Sequence, residues 1–557
     1  MKRPFGKRPF SALVEHFVRR LTSSEQEQGS ASLGFGVGAV LAIIASPGAF
    51  ASLFLIDKYS TLLQWLRGHF IDPIPSSPTD EHFFIVLSMT ITGLVLVARW
   101  NRLFPDRRDF ANLAVLPLPV RHIFLANLLT LQGLAVLVAV VANAVSAFVF
   151  PLFVTISIGT FAALIKVAFA HAVSVFASSL FSFFVVFALV GLLTLLVPRA
   201  IFRPVSVLAR VLLLVGLLSE FLANASTPFV SAHVPASVTS WLPSFWFLGN
   251  YEVMVGIAKP EIAVLAQRAW AALGVLIVFS LATYALCYQR IFLRLPESFD
   301  MFASRRGFFR IRLPEAILQP LFHSPFERAC MAFTCKALLR SETHMMFFGA
   351  WLGIGLVIVG QTVLSSPSSS IPLAVPLLIA FFLVSGLRFV FEIPAALDAN
   401  WIFRVTADPA NSRPADVARR VILFTALPWQ VLVFLPLAIH LQGPLSALLQ
   451  TAFNLLFTVL FTELLLVRFP KIPFTCFTQF DIRQLLNRML LSVFGLLILV
   501  PMLAAIESWT LPRPLASTVL LVALVGTCYF LAKRRREAEP ELMFEDTPVH
   551  FQQLKIV

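Results

Sequence analysis

Charge is scarce in this chain. Asp, Glu, Lys and Arg make up 13% of its 557 residues, against about a quarter in soluble domains. Cysteine is scarce too. The five thiols, Cys287, Cys330, Cys335, Cys476 and Cys528, form no C-x-x-C pair and have no histidine cluster beside them. That spacing argues against a metal knuckle and for isolated thiols in apolar or interfacial places. The G-x-x-x-x-G-K-[ST] phosphate loop is absent, since Gly6-Lys7 lacks the upstream glycine and the hydroxyl residue. The chain is therefore not a P-loop ATPase in its own right. There is no H-E-x-x-H helix, and no Ser, His and Asp set at hydrolase spacing. Gly34, Gly36 and Gly38 lie in an apolar segment, where glycines serve helix packing or flexibility rather than a dinucleotide turn. The first residues lack the short apolar region and small-residue cleavage site of a secretory signal.

What is abundant is apolar surface. The chain is 58% hydrophobic, with 56 phenylalanines and a mean hydropathy of +0.85. One soluble core cannot hide that much, so lipid must solvate it, and the chain reads as an all-α polytopic membrane protein. Lys and Arg number 43 against 29 Asp and Glu, a formal charge of +14. The basic residues cluster in loops beside apolar segments, which is the positive-inside pattern and not a nucleic-acid footprint.

A helix crosses the bilayer with about 20 apolar residues. Twelve candidate spans follow: 31–56, 83–99, 123–150, 168–197, 205–222 and 266–289, then 345–364, 372–393, 418–440, 445–467, 488–507 and 512–532. With the N-terminus inside, the basic loops at 99–122, 198–210, 290–344, 394–420 and 468–488 and the basic tail all fall on the cytosolic side. The opposite connections are nearly bare, with Lys58, Arg67, Lys259 and Arg513 as the main exceptions. Both termini are thus expected in the cytosol. Residues 8–22 carry Phe10, Leu13, Val14, Phe17, Val18 and Leu21 at helical spacing, which predicts an amphipathic helix at the membrane interface.

The chain divides into a cytosolic N-terminus at 1–30, a first six-span half at 31–289, a basic linker at 290–344, a second half at 345–532 and a basic tail at 533–557. Trp100 follows the second span and Trp401 the eighth, each leading into an arginine-bearing loop. An even number of spans per half makes the two halves parallel repeats. The segment 223–265 holds Trp241, Trp246 and Tyr251, residues that favour the membrane interface, and reads slightly better as an anchor than as a gate.

Ionisable residues inside apolar spans carry a functional hypothesis by default. Glu220, Arg388, Glu392 and Glu463 are the candidates, with His171 and Lys166 at a span end. Arg388 and Glu392 are four apart and suited to pair on one helix face. Arg468 lies close enough in sequence to Glu463 to neutralise it. Snorkelling or local pairing near helix ends is the plainer account of each. Prolines near spans, such as Pro47, Pro151, Pro376 and Pro428, kink helices in moving and static membrane proteins alike.

The segment DFANLAVLPLPVRHIFLANLL, with Leu113, Leu116, Pro117, Pro119, Arg121 and Leu125, resembles the cytosolic loop of ABC type-2 exporter permeases. Ala126-Asn127 stands where that family often has Gly-Lys. FPDRRD, ANWIFRVTADP and FPKIPFTCF look similar to large bacterial permeases of the same organisation. The resemblance implies a permease with two fused six-span halves in the bacterial inner membrane. It implies a separate P-loop ATPase subunit that binds the ATP, with no cofactor on this chain. It places candidate ATPase-coupling residues at Arg102, Arg107, Arg108, Pro117, Pro119 and Arg121, and at Arg404, Arg413, Arg419 and Arg420. The partners expected are that ATPase, the lipid bilayer and an unidentified, slightly more hydrophobic than ionic substrate; nucleic acid is not among them. A twelve-span secondary carrier, or a membrane-embedded enzyme or assembly factor, remains open as the alternative.

Overall fold

A computed structural model describes residues 9–22, 37–68, 70–104, 113, 119–226, 240–292, 325–364, 373–395, 400–406, 414–467, 469, 471–475, 492 and 495–537. No strand occurs among them. The chain forms two compact units, residues 1–306 and 307–557. Among the described residues, ten helices are long and apolar enough to cross a membrane. Large side chains such as Phe54, Leu212, Val275, Leu432 and Val522 lie bare on their outer faces, so the protein is membrane-embedded.

In the first unit, α1 (Pro9–Thr22) precedes α2 (Val37–Tyr59) and the short α3 (Thr61–Arg67). Then come α4 (Pro73–Ala98), α5 (Val120–Asn143), α6 (Ser146–Thr155), α7 (Phe161–Leu196), α8 (Arg199–Ser226), α9 (Pro243–Val255) and α10 (Pro260–Phe292). α4 and α7 are apolar all round and buried along most of their length, so they form the centre. α2 and α8 stay largely exposed and face lipid. The expected spans shift at their borders. α4 begins at Pro73, a residue suited to a first helical turn, and so takes in Asp80, Glu81 and His82. α6 continues through Pro151, and Lys166 sits inside the second turn of α7.

The segment expected to anchor at the interface is only partly exposed among its described residues. Trp241 is 82% exposed, but Tyr251 is fully buried. The reason is α9, a short apolar helix packed among α4, α7 and α10. Gly249 makes that packing close: a Cβ built there falls 2.9 Å from the Ile262 carbonyl oxygen and 3.1 Å from the Ala266 nitrogen. Backbone cannot rotate aside. Gly249→Ala is expected to cost about 1–3 kcal/mol, read as a lower thermal midpoint of the purified protein; an unchanged midpoint means the helices separate without penalty.

The second unit begins with α11 (Pro325–Arg340), α12 (Glu342–Leu364), α13 (Ala374–Val390), α14 (Asn400–Thr406) and α15 (Pro414–Ala426). A π turn at Gln430–Phe434 leads to α16 (Leu435–Gln442) and α17 (Pro444–Leu466). A second π turn at Gly495–Leu499 opens α18 (Val500–Thr510), and α19 (Pro514–Glu537) follows. The core is rich in phenylalanine, with Phe391, Phe453, Phe457 and Phe474 fully buried.

One of the twelve expected spans falls short here, and another is described only in part. α13 has 17 residues, a rise of about 26 Å against a hydrocarbon core of ~30 Å. It stops because the chain turns at Phe391–Ala395 to bond with Phe474: Phe474 N–H donates to the Phe391 carbonyl at 3.3 Å and Ala395 N–H to the Phe474 carbonyl at 3.0 Å. Phe474 has a φ of 69°, a left-handed geometry rare for a bulky residue, held here by those bonds. The span expected at 488–507 appears among the described residues as a π turn and the 11-residue α18.

Candidate functional site

Three groups of polar residues stand out. The first surrounds the start of α5 in the first unit. Leu13 and Phe17 on the apolar face of α1 bury against Leu113, Ile123 and Ala126. The amphipathic helix is therefore covered by protein on that face, and it joins the end of the 99–122 connection to α5. Pro119 caps α5 and Arg121 stands exposed in its first turn. At the other end of the connection, Trp100 is buried under the Arg210 guanidinium, 5.2 Å from its ring, and Arg210 donates to Asn101 Oδ1 at 2.5 Å. Arg102 ends that turn, half-buried. Arg107, Arg108, Pro117 and Arg413 lie outside the described residues. Arg404 belongs to α14.

The second group is a polar layer built from three consecutive residues of α4. Asp80 accepts from Lys58 Nζ and Tyr59 Oη, both at 2.6 Å. Glu81 accepts from His171 Nδ1 at 2.6 Å, with both side chains wholly buried. His171 Nε2 lies 3.3 Å from Ser146 Oγ, which itself donates to the Asn143 carbonyl. Both ring nitrogens thus face oxygen atoms. His82 Nδ1 meets Asn224 Oδ1 at 3.1 Å, and its Nε2 meets Ser244 Oγ at 3.0 Å. The half-buried Glu220 of α8 lies beside Ser244. The order serine, histidine, asparagine is that of a nucleophile relay, but Ser244 is sealed inside the bundle, so the chain of bonds pins α4 to α8 and α9. Tyr251 Oη pairs with Ser77 Oγ at 2.8 Å. On α9, burial holds the Glu252 carboxyl up at about 7, with Lys259 opposing.

The third group ties helix ends in the second unit. Glu463, fully buried on α17, bonds Arg419 of α15 and Arg535 of α19, the latter at 2.9 Å. Arg535 also bonds Asp416 at 2.8 Å. Arg420 bonds Glu327 of α11 at 2.7 Å. Beside that pair, burial and then Glu327 push the Cys330 thiol up to about 12. Arg388 pairs with Glu392 as the four-residue spacing implies, and Lys471 joins them. Arg419 and Arg420 are therefore engaged inside the unit rather than presented on a loop.

Sequence reasoning passed over Asp80, Glu81, His82, Arg535 and Lys471. Their signal was weak: each is ionisable and near an apolar run, yet each partner is remote in sequence. Comparison of the chain with protein-family models, with curated proteins and with solved structures finds no match.

Proposed function

We propose that the chain is the permease of an ABC-type exporter in a bacterial inner membrane. In this reading it has twelve spans in two parallel six-span halves, both termini cytosolic, and no ATPase of its own. A separate P-loop ATPase binds ATP and pushes on the connections at 99–122 and 394–420. One observation carries the reading: Leu13, Phe17, Leu113, Ile123 and Ala126 form one cluster. Leu113 of the first connection thus packs against both α1 and α5, so a displacement of that residue is passed to both helices through side-chain contact. The arginine-rich sequence of the first connection suits an acidic partner surface.

The test is co-purification with an ATPase encoded beside this chain, followed by ATP hydrolysis measured in the wild type and in Arg107→Glu/Arg108→Glu. Loss of assembly, or a fall in turnover with the fold intact, supports docking at this loop. Unchanged assembly and turnover sink it. A secondary carrier is the second reading, favoured by the buried Glu81–His171 pair, since a buried carboxyl and imidazole within spans are a natural proton site. Uptake into proteoliposomes driven by a pH gradient, with no ATPase present, selects that reading.

A further inference from the structure

α17 is one of the ten membrane-length helices, and it carries a buried polar ridge. Gln450, Asn454, Thr458 and Thr462 recur every fourth residue, and all are fully buried. The threonine hydroxyls satisfy themselves on the carbonyls one turn back, Thr458 on Asn454 at 2.7 Å and Thr462 on Thr458 at 2.8 Å. The carboxamides do not. Asn454 Nδ2 donates to the Gln450 carbonyl at 2.9 Å, but its Oδ1 has no partner. Neither Oε1 nor Nε2 of Gln450 has one. Gln430 donates to Thr458 Oγ1 at 2.6 Å and leaves its own Oε1 unpaired.

Lipid offers nothing to these atoms, and buried polar atoms without partners are costly and rare. The backbone points the same way. Gln430 opens the π turn, and such turns recur where a helix must re-aim a side chain at a site. Here the turn sets Gln430 against the middle of the ridge. The ridge is also neutral: the single ionisable residue of α17, Glu463, is already held by Arg419 and Arg535. Three free acceptors and one free donor on neutral amides match a group that both donates and accepts, such as a carboxamide or hydroxyl.

We infer that Gln430, Gln450 and Asn454 line a hydrated site inside the second unit that binds the amide or hydroxyl part of a small uncharged ligand, with water as its resting occupant. The site stands apart from the ATPase reading, because the docking variants above lie in the first unit. Asn454→Cys and Thr458→Cys test it with 2-aminoethyl methanethiosulfonate, a small water-soluble cation, and mass spectrometry to locate the modified thiol. Phe453→Cys, at a fully buried apolar neighbour, is the dry control, and Ser508→Cys the exposed one. The expected result is modification at positions 454 and 458 at least an order of magnitude faster than at 453. Acetamide, as the probe ligand, slows both without affecting position 508. A folded protein in which positions 454 and 458 react no faster than 453 overturns the site. Reaction that acetamide leaves unchanged overturns the ligand class.

Discussion

Replacing His171 with leucine is expected to destabilise the first unit by about 3–5 kcal/mol, the cost of leaving a buried carboxyl without its hydrogen-bonded partner. Glu81 and His171 are both fully buried. The second carboxyl oxygen of Glu81 has no hydrogen-bond partner, so nothing else is placed to take over from the imidazole. Glu81→Gln removes the charge and retains a carbonyl for His171 Nδ1–H, so it is expected to cost distinctly less. Thermal midpoints of the two variants, measured side by side in the same detergent, check the order. Equal effects mean that packing against Phe84 and Phe150, whose rings lie 5.6 and 4.7 Å from the imidazole, outweighs the charge.

Glu463→Ala is expected to cost the second unit about 3 kcal/mol, near the lower end for a broken buried pair. The lower end applies because Arg535 keeps Asp416 at 2.8 Å and Arg419 is partly exposed. The effect falls on three helices at once, so α19 is expected to loosen from α15 and α17. A double-mutant cycle of Glu463→Ala with Arg535→Ala is the measurement, with a coupling of about 0.5–3 kcal/mol expected for residues in one network. Strict additivity of the two losses contradicts the bond between them.

The contrast between Arg388 and Glu463 shows what a single sequence reveals. Arg388 and Glu392 are one helical turn apart, so their pairing follows from helix geometry alone and was legible. Glu463 invited the same reasoning with Arg468, its neighbour in sequence, which lies outside the described residues. Its observed partners are Arg419 and Arg535, 44 and 72 residues away, brought close only by the packing of α15 and α19 on α17. The start of α4 failed for a related reason. Asp80, Glu81 and His82 look like the end of a loop because hydropathy sums over the whole circumference of a helix. It does not register that each has its own partner waiting on a different helix. Membrane embedding, the helical class and the amphipathic α1 came through because they rest on composition and period. The polar interior of α17 did not, since glutamine, asparagine and threonine scattered among leucines look like noise until burial puts them on one ridge.

The consecutive trio on α4 has a mechanical consequence. Successive residues of an α-helix point about 100° apart, so Asp80, Glu81 and His82 reach outward like the teeth of a key. They engage α2, α7 and the α8–α9 pair, respectively. Turning α4 by a single tooth disengages all three contacts together, and no partial turn frees only one. This end of α4 is therefore braced against rotation about its own axis, at the end opposite Trp100 and its clasp with Arg210.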